Sequence, residues 1–581
     1  HYAQLLGPEW AAFVFPTDHP WNEPMFGHAE RRGPPLPSSQ VLPMKPIDET
    51  ERGALHAERE TMSIDGIGSN NWAWCGKTGC FLANDPHLGM SVPEIWYADR
   101  LRISPDEWVV GVSIPGLPGV VLGMNAHLAW AFTNVGEDVD DLLIEKVDDA
   151  VENYLAEVKD GREIWKPIQR SEKKVEIKGA TPKTITVLAT HRGPLAKRSW
   201  LKDVWTSRQW LALKDGMLRF PTLIDRAKSW AEMNAALDDM RLPAQNVLVV
   251  DRHRNLGYRA SGTGVVRKIT GRKPQPAVEG EWGGYLPPST RPRIVLTASA
   301  SGDRPRFLAS ANERIWVDAF GHSWSEDLRK DRIRRALSAR DDFSREDMEK
   351  LQRDTESRYA RLILTWTKDH TSADSDEAKA VLARWSRWDG FATNDPASFT
   401  DAFEMDRALT RLCTKRLEQK YLPAEEQKAE YSHPLRSAWV ITMLETKDGP
   451  KVFGLEEKDL ADLLLGVAIE RAKKRSAPYF EQNRWNAQHP FVGRVPLLGG
   501  LFAVDTPVQH GWRGVVRVEQ PMFGASVRLV WDLDHPLEST WSLPVGQSGH
   551  VGSPHYHDLQ KDWFAEKPYK VFDPAFEWKT H

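Results

Sequence analysis

The chain has 581 residues, 41% hydrophobic and 27% charged, a balance typical of folded proteins that excludes disorder over most of its length. Its 77 basic and 81 acidic residues leave a net charge of −4 without a long basic stripe, so dedicated nucleic-acid binding lacks its electrostatic basis. The apolar stretches at 114–124 and 460–469 are too short or interrupted for a membrane span, which needs about 18 consecutive apolar residues or more.

The sequence begins His1-Tyr2-Ala3, without Met, basic n-region or apolar h-region. No signal peptide is visible, a pattern shared by a mature start, a truncated gene and a processed precursor. Residues 1–60 have little periodicity. Residues 33–39, with Pro43 and Pro46 after them, read as an extended linker. From 69 to about 314 short apolar or alternating runs predict a large β-rich region, with examples at 108–112, 119–122, 174–187 and 246–250. Helical character is predicted from about 326 to 475. It is clearest at 459–474, where Leu460, Leu463, Leu464, Val467, Ala468 and Ala472 recur at helical spacing. Strand-like runs return at 514–518 and 526–533, and no internal repeat of 20–50 residues interrupts the order of strands, helical insertion and strands.

Among the residues able to do chemistry, ordinary nucleophile signatures fail. Gly546-Gln547-Ser548-Gly549-His550 carries His where a nucleophile elbow needs Gly. His555 and His557 stand at strand spacing before Asp558 without a third ligand, so a metal-dependent hydrolase is the weakest reading. Cys75 and Cys80 bracket the turn-like Gly76-Lys77-Thr78-Gly79. They either close a hairpin disulfide in an oxidising compartment or are two small half-buried residues. The 25 tryptophans read mainly as core and loop anchors. Gly66-Ile67-Gly68-Ser69 puts two glycines, free in backbone conformation, before a hydroxyl residue. A strand-like run, a tight turn and the polar Asn84-Asp85-Pro86-His87-Leu88 follow.

Gly68-Ser69-Asn70-Asn71-Trp72, followed by Ala83-Asn84-Asp85-Pro86-His87-Leu88, resembles the penicillin acylase family of N-terminal nucleophile hydrolases. Further segments agree in order: Gly116-Leu117-Pro118-Gly119, Ala129-Trp130-Ala131-Phe132-Thr133-Asn134-Val135, Pro243-Ala244-Gln245-Asn246, Ala525-Ser526-Val527-Arg528 and Ser553-Pro554-His555-Tyr556. The resemblance implies an α+β fold: a four-layer αββα core with a helical insertion. It divides the chain into the tail of an α-chain region at 1–32, a spacer at 33–68 and a catalytic β chain at 69–581 with its insertion at about 326–475. Most of the upstream helical α chain would then be missing from this sequence.

The resemblance also implies a precursor that cuts itself between Gly68 and Ser69. A serine hydroxyl needs a nearby base. A free α-amine, with a pKa of about 7.7–8.0, supplies one on the same residue, so no Ser-His-Asp triad is required. By position, Asn246 and the backbone N–H of Val135 (less favourably Asn134) would stabilise the oxyanion, and His87 would position the Ser69 amine. Leu88, Val121 and Leu122 would shape an aliphatic or broader acyl pocket, and Arg267 would meet a substrate carboxylate. Glu137, the Val139 carbonyl and Asp140 would contribute to a structural calcium, for which a solvated acidic turn is the competing reading. No organic cofactor is implied. The expected activity is hydrolysis of a small acyl amide: a penicillin-type side chain, a fatty-acyl amide or an acyl-homoserine lactone. The expected partner is an α chain from the same precursor, and the expected location is the periplasm or outside the cell. The alternative is an unprocessed or truncated homologue that binds acyl ligands or a partner chain without turnover.

Overall fold

A computed structural model describes residues 7–14, 16, 20–21, 25, 35–37 and 42–48 of the upstream segment. It then describes 68–572 apart from 103, 105–106, 199–202, 215–219, 270–273, 298–305, 316–323, 325–327, 422–436, 475–476, 494, 496–498 and 513. The strands of the two principal sheets are, in chain order, β1 (Gly68–Cys75), β2 (Cys80–Gly89), β3 (Tyr97–Arg102), β4 (Trp108–Ser113), β5 (Leu122–Asn125), β6 (Leu128–Asn134), β7 (Gln245–Asp251), β8 (Leu256–Ala260), β9 (Arg293–Leu296), β10 (Arg306–Ser310), β11 (Arg528–Asp532), β12 (Thr540–Ser542) and β13 (Tyr569–Lys570).

One sheet runs β10-β1-β2-β11-β12-β13, with two short strands, Glu519–Gln520 and Phe523–Ala525, at the end of β2. The other runs β9-β8-β7-β6-β5-β4-β3. Side chains alternate across a strand, and in β1 that alternation separates two cores. Ala73 and Cys75, with Leu82 of β2, face the second sheet and pack among Val110, Ala129, Ala131, Leu248 and Val250. Trp72 and Trp74, with Phe81 and Ala83, face outward against Ile333, Leu337, Met348 and Leu351. Those four residues belong to helices α2 (Leu328–Leu337) and α3 (Arg345–Gln352). The outer face of the second sheet is covered by Phe220–Ile224 and Trp230–Ala236, through Phe220, Ile224 and Met233. The layers are therefore helix, sheet, sheet, helix. Both faces of β1 are buried, which is why it lacks a polar side.

The helical stretch continues through α4 (Arg358–His370), α5 (Asp376–Arg387), α6 (Pro396–Tyr421), α7 (Ser437–Glu445) and α8 (Glu457–Lys474). In α8, Leu460, Leu463, Leu464 and Ala468 are buried as their spacing predicts, while Ala472 in the last turn is exposed. The upstream helix α1 (Gly7–Val14) seats Trp10, Phe13 and Val14 in the core of this insertion, beside Trp439 and Phe453. Residues 42–48 lie along the same insertion. The Leu42 N–H donates to the Val452 carbonyl at 3.0 Å, and Arg416 donates to the Lys45 carbonyl at 3.2 Å. The rest of the expected spacer lies mostly outside the described residues.

Three sequence expectations change. Of the run 119–122 only Leu122 lies in a strand, β5. The run 174–187 is a hairpin of Gln169–Val175 and Lys183–Thr190, turned where Gly179 adopts φ +78°. The run 514–518 is irregular turn structure rather than a strand. Val516 and Val518 are nevertheless buried, so apolar content alone misread it.

Candidate active site

Ser69 begins the second position of β1 and points to the same side as Asn71, toward the second sheet. The Asn71 amide reaches that sheet, donating to the Ala131 carbonyl at 3.3 Å. Ser69 is 7% exposed. Its hydroxyl donates to the Gly68 carbonyl at 2.6 Å, its backbone N–H donates to Oδ1 of Asn312, and its carbonyl accepts Nη1 of Arg329 at 2.8 Å. Arg329 also donates to Oδ1 of Asn70 at 2.5 Å, the Ala311 carbonyl at 2.7 Å and Oδ1 of Asn312 at 3.1 Å. Glycine at 68 follows from this crowding. A Cβ there would lie 3.0 Å from Arg329 Nη2 and 3.4 Å from both Asn312 Oδ1 and His87 Nδ1.

Antiparallel pairing sets Gly68 opposite His87 and Asn70 opposite Asp85. Asp85 and His87 therefore share the face of Asn70, whereas the Ser69 side chain points to the other face. His87 Nε2 lies 2.9 Å from Asp85 Oδ2, which also accepts Asn70 Nδ2 at 3.0 Å. The opposite ring nitrogen, Nδ1, is buried beside Gly68 without a hydrogen-bond partner. Burial, reinforced by the Arg329 and Arg528 guanidiniums, holds the His87 pKa well below its ordinary range, so the imidazole is neutral near pH 7. Burial also raises Asp85, against the pull of Arg528 and its bond from Asn70.

Asn246 stands on β7 opposite Thr133 of β6. Its Nδ2 donates to Thr133 Oγ1 and to the Asn134 carbonyl, both at 3.2 Å, and its Oδ1 accepts the Tyr258 hydroxyl at 2.7 Å. The Asn134 carbonyl also accepts Nδ2 of Asn312 at 3.0 Å. A single chain of contacts thus joins Ser69, Asn312, Asn134 and Asn246. The Val135 N–H donates to the Ala244 carbonyl at 3.3 Å, and the Val135 carbonyl accepts the Trp324 indole at 2.9 Å. In the uncut chain the peptide between Asn134 and Val135 thus presents its carbonyl, not its N–H, to Asn246.

The other expected residues separate into two places. Val121 and Leu122 are buried in the core between the sheets, and half-buried Leu88 packs against that core. Arg267 belongs to an acidic cluster: Nε donates to Asp141 at 2.7 Å, Nη2 lies 3.3 Å from Asp138, and the guanidinium lies 5.9 Å from the Trp282 ring. In that cluster Glu137 pairs with Arg291, Asp140 makes a two-oxygen pair with Arg208, and the Val139 carbonyl accepts the Leu211 N–H at 3.1 Å. Each oxygen donor expected for calcium is taken by a guanidinium or a peptide N–H. Three guanidiniums, of Arg208, Arg267 and Arg291, thus face the four carboxylates of Glu137, Asp138, Asp140 and Asp141. Among the described residues no group of three or more His, Cys, Asp or Glu could hold a metal, and His555 pairs with Asp558 at 2.8 Å on the surface. Cys75 and Cys80, directly paired across β1 and β2, form a disulfide.

Sequence reasoning missed Asn312, Arg329 and Tyr258. Arg329 sits four and eight residues before the buried Ile333 and Leu337, on the buried face of α2, but other basic residues in that helix hide it. Asn312 follows a strand in Ser310-Ala311-Asn312, where a polar residue reads as a turn.

A model of the family described as penicillin amidase matches residues 1–574. Among curated relatives, penicillin acylase 2 proenzyme of Pseudomonas sp. (strain SE83) is 26% identical, over 86% of this chain and 66% of its own length. Acyl-homoserine lactone acylase QuiP of Pseudomonas aeruginosa is 29% identical, over 97% of this chain and 72% of its own. The chain therefore spans about two thirds of the length of these relatives. Among solved structures, the thermostable penicillin G acylase of Alcaligenes faecalis shares the fold, with a TM-score of 0.66 at 18% identity over 88% of this chain and 98% of that one. With its family model, relatives and αββα layers in agreement, the chain belongs to the penicillin amidase family.

Proposed function

We propose that this chain hydrolyses acyl amides with Ser69 as an N-terminal nucleophile, after its own cleavage between Gly68 and Ser69. The observation that carries the reading is the placement of Ser69. A buried hydroxyl lies against the carbonyl of the bond to be cut, while the backbone on either side of the serine α-carbon is held by Asn312 and Arg329. Attack of Ser69 Oγ on the Gly68 carbonyl carbon would replace the peptide bond with an ester, and water would release Gly68 as a carboxylate. That leaves a free Ser69 amine.

In the cut chain the amine takes the hydroxyl proton as Oγ attacks the acyl carbonyl. Negative charge develops on the carbonyl oxygen, for which Asn246 Nδ2 is a side-chain donor. The Val135 N–H joins it once the 134–135 peptide turns over and the N–H leaves the Ala244 carbonyl. The ammonium returns its proton to the departing amine, and water then frees the acid from the acyl-serine by the same route. His87, with its unpartnered nitrogen beside Gly68, is suited to steady the new amine.

The two curated relatives are named for penicillin and for acyl-homoserine lactones, so acyl amides of these classes are the substrates to try first. Aliphatic Leu88, Val121 and Leu122 favour an aliphatic acyl group, and Arg267 is the candidate to meet a carboxylate. The Cys75–Cys80 disulfide favours an oxidising location, the periplasm or outside the cell. Packing of Trp10 and Phe13 into the insertion supports continued association of an upstream α chain after cleavage.

Intact mass and N-terminal sequencing, beside Ser69→Ala, test the reading. A chain beginning Ser69-Asn70-Asn71-Trp72 in the wild type alone, together with release of acid from an acyl-amide panel, supports it. A chain that stays whole overturns it in favour of a dormant, ligand-binding homologue. That alternative has one observation on its side, because the oxyanion donors of the uncut chain are already satisfied internally.

A further inference from the structure

The Ser69 backbone has two partners that neither the nucleophile nor the oxyanion donors require. Asn312 lies just past the end of β10, with φ +69°, a conformation in which its Oδ1 accepts the Ser69 N–H. Its Nδ2 is spent on the Asn134 carbonyl. Arg329, buried on α2, bonds both the Ser69 carbonyl and Asn312 Oδ1, so a guanidinium lies one peptide unit from the nitrogen that becomes the amine.

We propose that Arg329 and Asn312 form a clamp that holds the freed Ser69 amine unprotonated and aims its lone pair at the serine hydroxyl. This rests on the N-terminal nucleophile reading above. A cation close to an amine disfavours a second positive charge, and a neutral amide oxygen accepts one N–H without the attraction a carboxylate would add. The other charged or titratable groups around Ser69 are mutually engaged: Asp85 with His87 on β2, Arg528 of β11 with Glu519, and Lys330 of α2 with Glu313. Tyr258 of β8 donates to Asn246. The same guanidinium already acts on a neighbour, lowering His87 after burial itself. Both clamp residues are positioning residues.

The test is the pH profile of kcat/KM for an acyl p-nitroanilide, measured on the self-cut enzyme with cleavage verified by mass. Activity falls in acid as the amine protonates. Arg329→Gln is expected to move that acidic limb upward by about one pH unit, a tenfold gain in amine basicity. Arg329→Lys, which keeps the charge, leaves the midpoint in place whatever its rate. Asn312→Asp, nearly isosteric, also moves the limb upward because a carboxylate favours the ammonium. It carries the test should Arg329→Gln fail to fold or cut. Turnover with the limb unmoved in Arg329→Gln, or in Asn312→Asp when that variant carries the test, overturns the clamp and leaves the hydrolase reading intact. Failure of both variants to cut overturns it too, because the pair then serves maturation alone. A wild-type chain that neither cuts nor turns over substrate overturns the hydrolase reading, and the clamp with it.

Discussion

The hydroxyl of Tyr258 donates to Oδ1 of Asn246 at 2.7 Å, and that bond decides which end of the amide faces the 134–135 peptide. With the oxygen engaged, Nδ2 is left to donate toward Thr133 and the 134–135 peptide. Tyr258→Phe removes the constraint without emptying the core. Loss of one such hydrogen bond is worth about 1 kcal/mol, so kcat should fall roughly five- to tenfold with little change in KM. Asn246→Ala removes the donor itself and should cost about 100- to 1000-fold. Steady-state kinetics of the two variants check the order.

Glu94 is buried and accepts the Ser91 and Ile95 N–H groups at 3.4 Å each; desolvation raises its pKa from 4.5 to about 8. The fold therefore holds a proton that the unfolded chain releases. Its contribution is greatest below pH 4.5 and is lost as pH rises toward 8. At pH 7 the cost is about 3 kcal/mol. Glu94→Gln should raise the melting temperature at pH 7–8 and flatten its decline between pH 5 and 8, as thermal unfolding across that range will show.

Removing divalent cations should leave the acidic loop untouched. Arg291, Arg208 and Arg267 hold Glu137, Asp140 and Asp141. Dialysis against a chelator is expected to leave thermal unfolding and self-cleavage unchanged. Arg291→Met strips the buried Glu137 of its counter-charge and should cost about 3 kcal/mol or more. A melting temperature that drops on chelation would mean that calcium displaces these arginines.

Replacing both Cys75 and Cys80 by Ala removes a short covalent loop at the turn of β1 and β2. The expected loss is about 2 kcal/mol, measured by denaturant unfolding with and without thiol. Activity per folded molecule should change little, because strand pairing independently sets Ser69 opposite Pro86.

Local chemistry was the legible part of the sequence. The glycine before Ser69, the tight turn after Cys75 and the helical spacing of Leu460, Leu464 and Ala468 each act within a few residues, so their patterns survive in one dimension. The surroundings of the acidic stretch at 137–141 were illegible for the opposite reason. Its counter-ions Arg208 and Arg291 stand 68 and 154 residues from their partners, and only the fold brings them together. Arg329 was hidden because its role depends on α2 lying against β1, 260 residues earlier. The run at 174–187 carries its hairpin turn openly, at Gly179 and Pro182, between two strand-forming stretches.

The location of β1 has a mechanical consequence. New chain ends ordinarily fray, yet a cut before Ser69 would open the chain within a sheet, with Ser69 paired to β2, β10 joining two residues on at Asn71, and buried layers above and below. Cys80 rivets the far end of the same strand. The fresh terminus would be as still as an interior residue, and a reagent that must present its amine and hydroxyl to one carbonyl gains from that stillness at every turnover.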